Sequence, residues 1–459
     1  MALYLYQRAA KQKKRFVPIS DDAVSMYVCG PTVYSTPHIG NARPAVVFDC
    51  LARVLRALYP KVTYVRNITD VDDKINAKAA EEGVAIAEIT ERYTACYHHD
   101  LHALGCLPPD VEPRATAHMP EMIEMITTLI AKAHAYEADG HVLFSVPSFA
   151  DYGLVSGRDQ SARQAGARVA VEDYKRHAED FVLWKPSATH EPGWDSPWGR
   201  GRPGWHIECS AMINKHLGLP IDIHGGGGDL LFPHHENEQA QGCCYRGDSS
   251  YVNYWVHNGM VKVDDEKMSK SLGNILLVKD LLSDYQGEVI RLALLQTHYR
   301  QPLLWQQDEN AQTAKQLLDR AYRLLAQIPQ RDTLDYGWQD VPEAVRAALL
   351  DDLNTPLAIT HWQAMCKAMA QKEALDAADQ RALCAVHAYL GVGQQDPEQW
   401  FQSRQDQTLT PEAIATYLAQ REQARTDKDY AKADAIRDQL AEEGVLIEDT
   451  GGKTTWRFR

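Results

Sequence analysis

The chain has 459 residues, of which 45% are hydrophobic and 24% charged, and its formal net charge at pH 7 is −14. This length is too great for one compact domain, and the composition is that of an ordinary soluble globular protein. The acidic balance argues against a protein that coats nucleic acid non-specifically, but it leaves room for a local basic surface that binds one RNA.

The N-terminus combines a short apolar stretch with a basic segment that ends at Arg15. A secretory signal would carry its charges before the apolar stretch, and no apolar run approaches the roughly 18 residues that cross a bilayer. We therefore predict a cytoplasmic protein without a membrane partner, which begins with a short strand and a solvated basic turn. The nine cysteines, an odd number spread irregularly, do not indicate a disulfide framework.

The next segments predict a parallel sheet. Residues 23–30 are typical of a buried strand that ends in a glycine turn, residues 45–58 have helical spacing, and residues 62–68 are rich in β-branched side chains. A strand, a helix and a strand form a βαβ unit, whose parallel strands bind ligands at their carboxyl ends. Residues 222–224, followed by four glycines, predict a further strand, and a helix follows from about Pro233.

Other segments have different patterns. A helix over 117–135 and a hairpin over 136–146 precede a loop-rich insertion over 156–201. Beyond Val278 almost everything up to Leu390 is predicted to be amphipathic helix. One last helix over 411–443 and a pair of short strands close the chain. The predicted class is therefore α/β, with a Rossmann-like parallel-sheet catalytic core that carries an insertion, then a helical bundle and a small mixed C-terminal domain.

Two short motifs carry the chemistry of phosphate binding. His38 lies two residues before Gly40 at a strand-to-helix turn, where the imidazole can face a phosphate and the helix N-terminus favours an anion. Lys267 and Lys270 lie in a loop with two serines and a glycine, which suits a mobile clamp for pyrophosphate. Each motif alone could be a chance occurrence or a solvated basic loop.

The two motifs in this order resemble the signatures of the class I aminoacyl-tRNA synthetases. That family usually has a histidine where this chain has Asn41, although asparagine can also donate a hydrogen bond to phosphate. The resemblance implies catalytic roles for His38, Asn41, Lys267 and Lys270, and contacts of His38, Gly40, Asn41 and Lys270 with ATP.

Four further residues are candidate metal ligands: Cys29, Cys209, His234 and Glu238. His234 and Glu238 are four residues apart at a predicted helix start and therefore share one face. Spacing alone does not bring the four together, because the sequence has no Cys-x-x-Cys pair. Each could equally be a core cysteine, a capping histidine or a surface glutamate.

A closer resemblance, to the cysteinyl-tRNA synthetases, extends over essentially the whole chain. It is carried by the lysine loop and by residues 26–43, 64–74, 204–212, 222–238 and 429–437. The resemblance implies that the four candidate ligands bind one Zn²⁺ per chain, and that Mg²⁺ accompanies ATP. It also implies that L-cysteine contacts Gly30, Thr69, Trp205 and His206, and that adenine and ribose lie near Gly227 and Asp229.

Zinc suits this substrate for a physical reason. Serine and cysteine are nearly isosteric, so an apolar pocket separates them only about a hundredfold. Zinc prefers a thiolate to a hydroxyl and lowers the pKa of a thiol that binds it. A zinc site that accepts the substrate sulfur can therefore reject serine without a separate editing site.

The resemblance also implies an organisation and a set of partners. The partners are ATP, L-cysteine and tRNA(Cys), and we expect a monomer. The predicted boundaries are 1–125 and 201–265 for the two halves of the core, 126–200 for the insertion, 266–315 for the lysine loop and tRNA stem contacts, 316–400 for the helical bundle, and 401–459 for an anticodon-binding domain.

Two alternatives stay open at this point. One is the related ligase that joins cysteine to an amino sugar in mycothiol synthesis, which shares both signatures and the zinc site but lacks the C-terminal tRNA-binding parts. The other is a catalytically inactive paralogue that binds RNA. The C-terminal segment from Pro411 onward favours a synthetase over the first, and the intact ligands and lysines argue against the second.

Overall fold

The computed structural model describes residues 2–158, 172–263, 266–268, 273–402, 409, 411–450 and 453–458. The strands are β1 Tyr4–Gln7, β2 Gln12–Arg15, β3 Ala23–Val28, β4 Lys61–Arg66, β5 Ala135–Ala138, β6 His141–Phe144, β7 Phe181–Pro186, β8 Gly201–Pro203, β9 Ile221–Gly227, β10 Val252–Asn258, β11 Val261–Val263, β12 Glu266–Lys267, β13 Leu303–Trp305, β14 Val445–Thr450 and β15 Lys453–Phe458. The helices are α1 Ile39–Leu58, α2 Asp73–Glu82, α3 Ile86–Ala103, α4 Met119–Ala131, α5 Trp205–Leu217, α6 Glu236–Arg246, α7 Val278–Asp284, α8 Gly287–Leu295, α9 Gln307–Leu325, α10 Glu343–Leu350, α11 Thr355–Met369, α12 Ala377–Leu390, α13 Pro397–Gln402, α14 Pro411–Thr426 and α15 Tyr430–Glu442.

A parallel sheet of four strands, in the order β10-β9-β3-β4, forms the centre of the N-terminal half. All three pairs of neighbouring strands run parallel. The chain passes from β3 outward to β4 in one direction and from β9 outward to β10 in the other. Ligands of such sheets bind at the carboxyl ends of the strands, beside the place where the strand order reverses. The predicted α/β class is confirmed.

Helix α1 begins earlier than the sequence predicts. We predicted helical spacing over 45–58, but the helix begins at Ile39 and includes Pro44. The start is fixed upstream by a capping arrangement in which the backbone N–H of His38 donates to Oδ1 of Asn41 at 3.1 Å. Ile39 is fully buried, so extending the helix to that residue also adds to the core.

The insertion contains more regular structure than predicted. β5, β6, β7 and β8 form an antiparallel sheet of four strands in sequence order, and the predicted hairpin over 136–146 is its first pair. Our expectation of loops over 156–201 is wrong for β7, which buries Phe181, Leu183 and Trp184. Neighbouring glycines, prolines and mixed charges hid this short strand in the sequence.

The region after Val278 is helical as predicted, with one exception. Helices α7 to α12 follow one another, but β13 interrupts them and pairs in parallel with β11 of the core. One hydrophobic cluster joins α1 to α8, α9, α11 and α12, so the core and the helical bundle share buried side chains. No helix in the described ranges is both long and apolar enough to span a bilayer.

The C-terminal segment is a helical hairpin followed by a strand pair. The predicted single helix over 411–443 is wrong, because it is divided into α14 and α15 at Lys428, whose φ is 63°. Asp429 then caps α15 by accepting a hydrogen bond from the backbone N–H of Lys432 at 3.1 Å. The predicted closing strands form the antiparallel pair β14–β15. A small core between these elements is formed by Ile414, Ile436, Leu440 and Val445.

Candidate metal centre and nucleotide cavity

The four predicted metal ligands lie together at the carboxyl end of the sheet. Cys29 follows β3, Cys209 is in α5, His234 precedes α6, and Glu238 is in the first turn of α6. One donor atom from each residue lies within 4.8 Å of the others. Sγ of Cys29 is 3.7 Å from Sγ of Cys209, 3.5 Å from Nε2 of His234 and 3.5 Å from Oε1 of Glu238. Nε2 of His234 is 3.0 Å from Oε1 of Glu238.

These distances fit one tetrahedral zinc ion. Tetrahedral angles and usual bond lengths of about 2.3 Å to sulfur and 2.1 Å to nitrogen or oxygen place two sulfurs about 3.8 Å apart, and a sulfur about 3.6 Å from a nitrogen or an oxygen. The three distances from Cys29 match these values to about 0.1 Å, whereas the distance from His234 to Glu238 is about 0.4 Å short. Two thiols, an imidazole and a carboxylate are also all zinc ligands by chemical type.

A second group shares half of this cluster. Cys29, His224, His235 and Glu238 also bring one donor atom each within 4.8 Å. In that group Nε2 of His224 lies 2.9 Å from Oε2 of Glu238, the carboxylate oxygen that points away from His234. His224 is therefore placed to orient Glu238 from behind, as residues next to metal ligands commonly do. The group with Cys209 has two thiols and is the better zinc site.

The charges in the cluster favour a cation. Burial acts to raise the pKa of Glu238, but His224 and His234 outweigh it and hold that pKa well below its usual range. The hydrogen bond from Cys29 lowers the pKa of Cys209 to about 6. Burial acts to lower the pKa of His234, but Glu238 and Cys209 raise it to about 10. A proton on His234 thus balances the anionic ligands, and a metal ion would release that proton on binding.

Trp205 and His206, at the start of α5, both contact His234. The Trp205 ring stacks on the His234 ring with centroids 4.0 Å apart, and 37% of this tryptophan is exposed. Nδ1 of His206 lies 2.9 Å from Nδ1 of His234. Burial lowers the pKa of His206 to about 3, so its imidazole is neutral and can accept a hydrogen bond. If Nε2 of His234 binds a metal, Nδ1 of His234 carries its hydrogen and donates to His206.

A cavity of about 350 Å³ lies beside this cluster. It brings together eight of the predicted site residues: Cys29, Gly30, His38, Gly40, Asn41, Trp205, Gly227 and Asp229. Thr69 and His206 are not in its lining. Thr69 is buried one layer behind and accepts a hydrogen bond from Nδ2 of Asn67 at 3.1 Å.

At two positions of the cavity, a side chain larger than that of glycine would come too close to neighbouring atoms. A Cβ atom on Gly30 would lie 1.6 Å from the carbonyl oxygen of Asn67, so only glycine lets these two backbones approach. A Cβ atom on Gly40 would lie 2.9 Å from two atoms of the His38 ring. Gly40 therefore leaves space for the imidazole to fold over the first turn of α1.

The two signature motifs meet at this cavity. His38 is the N-cap of α1, and burial lowers its pKa, which keeps the imidazole neutral near pH 7. The segment after the lysine loop forms backbone hydrogen bonds with the residues on either side of His38. The Ile39 N–H donates to the Leu276 carbonyl at 2.9 Å, and the Val278 N–H donates to the Pro37 carbonyl at 3.0 Å.

The lysine loop is only partly described. Met268 and Ile275, from either side of the loop, line the same cavity as His38. The backbone of Lys267 lies in β12. Lys270 falls outside the described residues, so its predicted role stays a prediction.

Sequence reasoning missed three cationic residues at the cavity. Arg66 and Lys74 line it, and Arg66 is buried with its guanidinium 5.4 Å from the centroid of the Tyr97 ring. Arg43 lies behind the wall and makes four hydrogen bonds to backbone carbonyls. A cation that ends a strand or lies in a helix has no distinguishing pattern, although all three residues lie within segments that carry the family resemblance.

Comparisons with known proteins agree with this geometry. A family model described as the catalytic domain of class I (C) tRNA synthetases matches residues 15–316, and one described as the cysteinyl-tRNA ligase anticodon binding domain matches residues 408–457. A solved structure of Mycobacterium tuberculosis methionyl-tRNA synthetase with methionyl-adenylate has the same fold, with a TM-score of 0.56, 16% identity, and coverage of 80% of this chain and 89% of that one. The fold and the cavity are those of a class I tRNA synthetase.

Relatives of known function are similar over their full length. The cysteine–tRNA ligase of Rhodospirillum rubrum is 53% identical over 462 residues, which cover 100% of both chains. The cysteine–tRNA ligase of Parvibaculum lavamentivorans is 54% identical over 464 residues, which cover 100% of this chain and 98% of that one. The chain belongs to the cysteine–tRNA ligase family.

Proposed function

We propose that this chain joins L-cysteine to tRNA(Cys) in two steps that consume ATP. In the first step a carboxylate oxygen of cysteine bonds to the α-phosphorus of ATP and pyrophosphate leaves. In the second step a hydroxyl of the terminal tRNA ribose bonds to the carbonyl carbon of the adenylate, loses its proton, and AMP leaves. The observation that carries the proposal is the position of a zinc-type ligand cluster at one end of the cavity that His38 and Asn41 line.

Cys29, Cys209, His234 and Glu238 would hold one zinc ion, because their donor atoms fit its tetrahedral distances. When bound, the ion would act as a Lewis acid that prefers a thiolate to a hydroxyl. Cys29 lines the cavity, so a substrate sulfur beside it would meet the ligand cluster directly. Serine, which offers only a hydroxyl there, would bind less tightly.

The cavity residues take the remaining substrate groups. Gly30 and Trp205 contact the amino acid, since both line the cavity next to Cys29. Thr69 and His206 lie one layer behind, where His206 fixes His234 by a hydrogen bond and Thr69 holds Asn67. We therefore assign Thr69 and His206 to positioning the amino acid site through their neighbours.

The nucleotide would lie over the N-terminus of α1. His38 and Asn41 are then placed to stabilise the charge that develops at the α-phosphate, with Gly40 allowing its approach. Gly227 and Asp229, at the end of β9, take the adenine and ribose. Lys267 and Lys270 hold the leaving pyrophosphate. ATP itself enters the site as its Mg²⁺ complex.

The two alternatives are not favoured. A ligase for an amino sugar has no use for a tRNA-binding domain, whereas residues 408–457 match an anticodon-binding domain. The cysteine–tRNA ligase relatives also align along the complete chain. An inactive RNA-binding paralogue would gain nothing from four clustered metal-type donor atoms. It would also gain nothing from glycines at cavity positions where a Cβ atom would be too close to its neighbours.

Cysteine-dependent exchange of labelled pyrophosphate into ATP tests the first step, and charging of tRNA(Cys) transcript tests the second. We expect both activities, with serine as the control amino acid, and about one zinc per chain for this single site. The proposal is wrong if the purified chain shows no exchange with cysteine, or if a zinc-free preparation still prefers cysteine to serine. We also predict a monomer that works in the cytoplasm.

A further inference from the structure

The N-terminal hairpin β1–β2 has a strongly basic surface. The first twenty residues contain no acidic side chain, although the whole chain has a net charge of −14. All the cations of this segment are exposed, and we call them the basic hairpin: Arg8, Lys11, Lys13, Lys14 and Arg15. Neither the metal centre nor the cavity includes any of them.

The hairpin is fixed to the protein by its backbone and by apolar side chains rather than by its charges. The Tyr6 N–H donates to Oδ1 of Asp352 at 2.9 Å, and the Asp352 N–H donates to the Tyr4 carbonyl at 3.0 Å. Leu3 and Leu5 are buried. The basic side chains can therefore be changed without removing the contacts that hold the hairpin in place.

Most of these cations have no acidic partner. Nζ of Lys13 lies 2.7 Å from Oδ1 of Asp351. Within the described parts of the chain, the other four cations of the basic hairpin form no ion pair. An exposed cation without a counter-ion interacts favourably with an incoming anion, since no existing pair must be broken.

The hairpin lies beside elements of the catalytic core. The Tyr254 hydroxyl, on the edge strand β10, donates to the Arg15 carbonyl and accepts from the Val17 N–H, both at 3.0 Å. Strand β10 ends at Asn258, which lines the cavity. The guanidinium of Arg300, in the segment before β13, lies 4.3 Å from the centroid of the Tyr6 ring.

We propose that the basic hairpin contacts phosphates of the bound tRNA. Lys13 to Arg15 span about 7 Å of β2 at about 3.3 Å per residue, and Arg8 and Lys11 extend the basic surface into the turn, so the cations can reach more than one phosphate group. Such a row suits a chain of phosphates better than a single small anion, and phosphate contacts dominate the affinity of proteins for nucleic acids. The inference rests on the proposed function, because it takes tRNA as the partner.

The test neutralises the unpaired cations of the basic hairpin together. The variant is Arg8→Gln, Lys11→Gln, Lys14→Gln and Arg15→Gln. We expect cysteine-dependent pyrophosphate exchange to be unchanged and the affinity for tRNA(Cys) transcript to fall. The slope of the logarithm of affinity against the logarithm of salt concentration should become shallower by about 3 to 4, since each of the four lost phosphate contacts contributes about 0.7 to 0.9.

A charge-balanced variant is the matched control. Lys13→Gln combined with Asp351→Asn replaces an ion pair of the same hairpin by a neutral pair, so it should leave the salt dependence unchanged. In the opposite direction, Gln12→Lys adds a cation to the same exposed strand and should steepen the slope.

Three results would overturn the inference. These are an unchanged salt dependence in the fourfold variant, a loss of pyrophosphate exchange in parallel with tRNA affinity, and a loss of binding to anionic phospholipid vesicles with tRNA binding intact. A wild-type chain without cysteine-dependent exchange would instead refute the proposed function, and the effect of the fourfold variant on RNA binding could still be measured.

Discussion

Replacing Arg43 by lysine should impair the use of ATP more than the use of cysteine. Arg43 is completely buried in α1, two residues after Asn41. Its Nη1 donates to the carbonyls of Gly259 at 2.7 Å and Met260 at 3.1 Å, and its Nη2 donates to the carbonyls of His298 at 3.3 Å and Gln301 at 2.7 Å. Burial lowers the pKa of Arg43 to about 10, so the side chain remains charged at neutral pH.

The size of the effect follows from these contacts. Gly259 and Met260 line the cavity, so two of the four hydrogen bonds hold its wall against α1. A lysine has one nitrogen in place of the planar fork and cannot reach both sets of carbonyls. Losing one hydrogen bond from a charged donor costs about 1.5–3 kcal/mol. If ATP must restore the wall on binding, kcat/KM for ATP falls about 10- to 150-fold.

The assay is pyrophosphate exchange with ATP varied at saturating cysteine, and then with cysteine varied at saturating ATP. The matched control is Arg291→Lys, because Arg291 is equally buried but bonds to the carbonyl of Leu390 and to Asp49, away from the cavity. Calorimetry should show that both variants are less stable than the wild type. If Arg43→Lys and Arg291→Lys lower the melting temperature alike and neither changes kcat/KM for ATP, Arg43 is only a structural residue and the reasoning fails.

Three further predictions concern the metal, the leaving group and the RNA. His234→Ala and Cys209→Ser should lose bound zinc, measured by metal analysis, while His235→Ala should keep it; the reverse order would assign the metal to the group that contains His224. Lys270→Ala should lower the exchange rate at saturating substrates more than it raises KM for cysteine, because its contact belongs to the transition state; an effect on KM for ATP alone would contradict that role. Deleting the chain from Thr410 onward should leave exchange nearly intact and weaken tRNA binding with a shallower salt dependence; undiminished tRNA charging would argue against an anticodon role.

The metal cluster could be predicted from the family resemblance but not from the spacing of its residues. Cys29 and Cys209 are far apart in the chain, and nothing in their spacing predicts that they meet. They approach because Cys29 follows β3, whose neighbour in the sheet is β9, and the helices on either side of β9 in the chain, α5 with Cys209 and α6 with Glu238, pack against each other. A βαβ pattern predicts parallel strands, but not which strands are neighbours. The family resemblance supplied that missing information.

The role of Arg43 and the helix break at Lys428 were not predicted, because both depend on the backbone rather than on a pattern of side chains. Arg43 bonds to four carbonyls, which every residue possesses, so no side-chain pattern indicates its role. The break at Lys428 was missed for a related reason, since the residues on both sides have good helical character and only a local left-handed turn separates α14 from α15. By contrast, the glycine turns, the alternating strands and the amphipathic helices depend on patterns that are visible in the sequence.

Helix α1 connects the candidate site to the helical bundle. Its first turn carries His38 and Asn41 at the cavity, and farther along the helix Asp49 accepts hydrogen bonds from Arg53 and Arg291. Arg291 also donates to the Leu390 carbonyl at the end of α12 at 2.7 Å, and Arg53 donates to the Ala388 carbonyl at 2.8 Å. Asp49 and Arg53 lie about three to four turns beyond the start of α1, so these contacts fix the middle of the helix to the end of α12. The contacts of Arg53 and Arg291 therefore join the bundle to the core, and neither arginine is among the described residues that line the cavity.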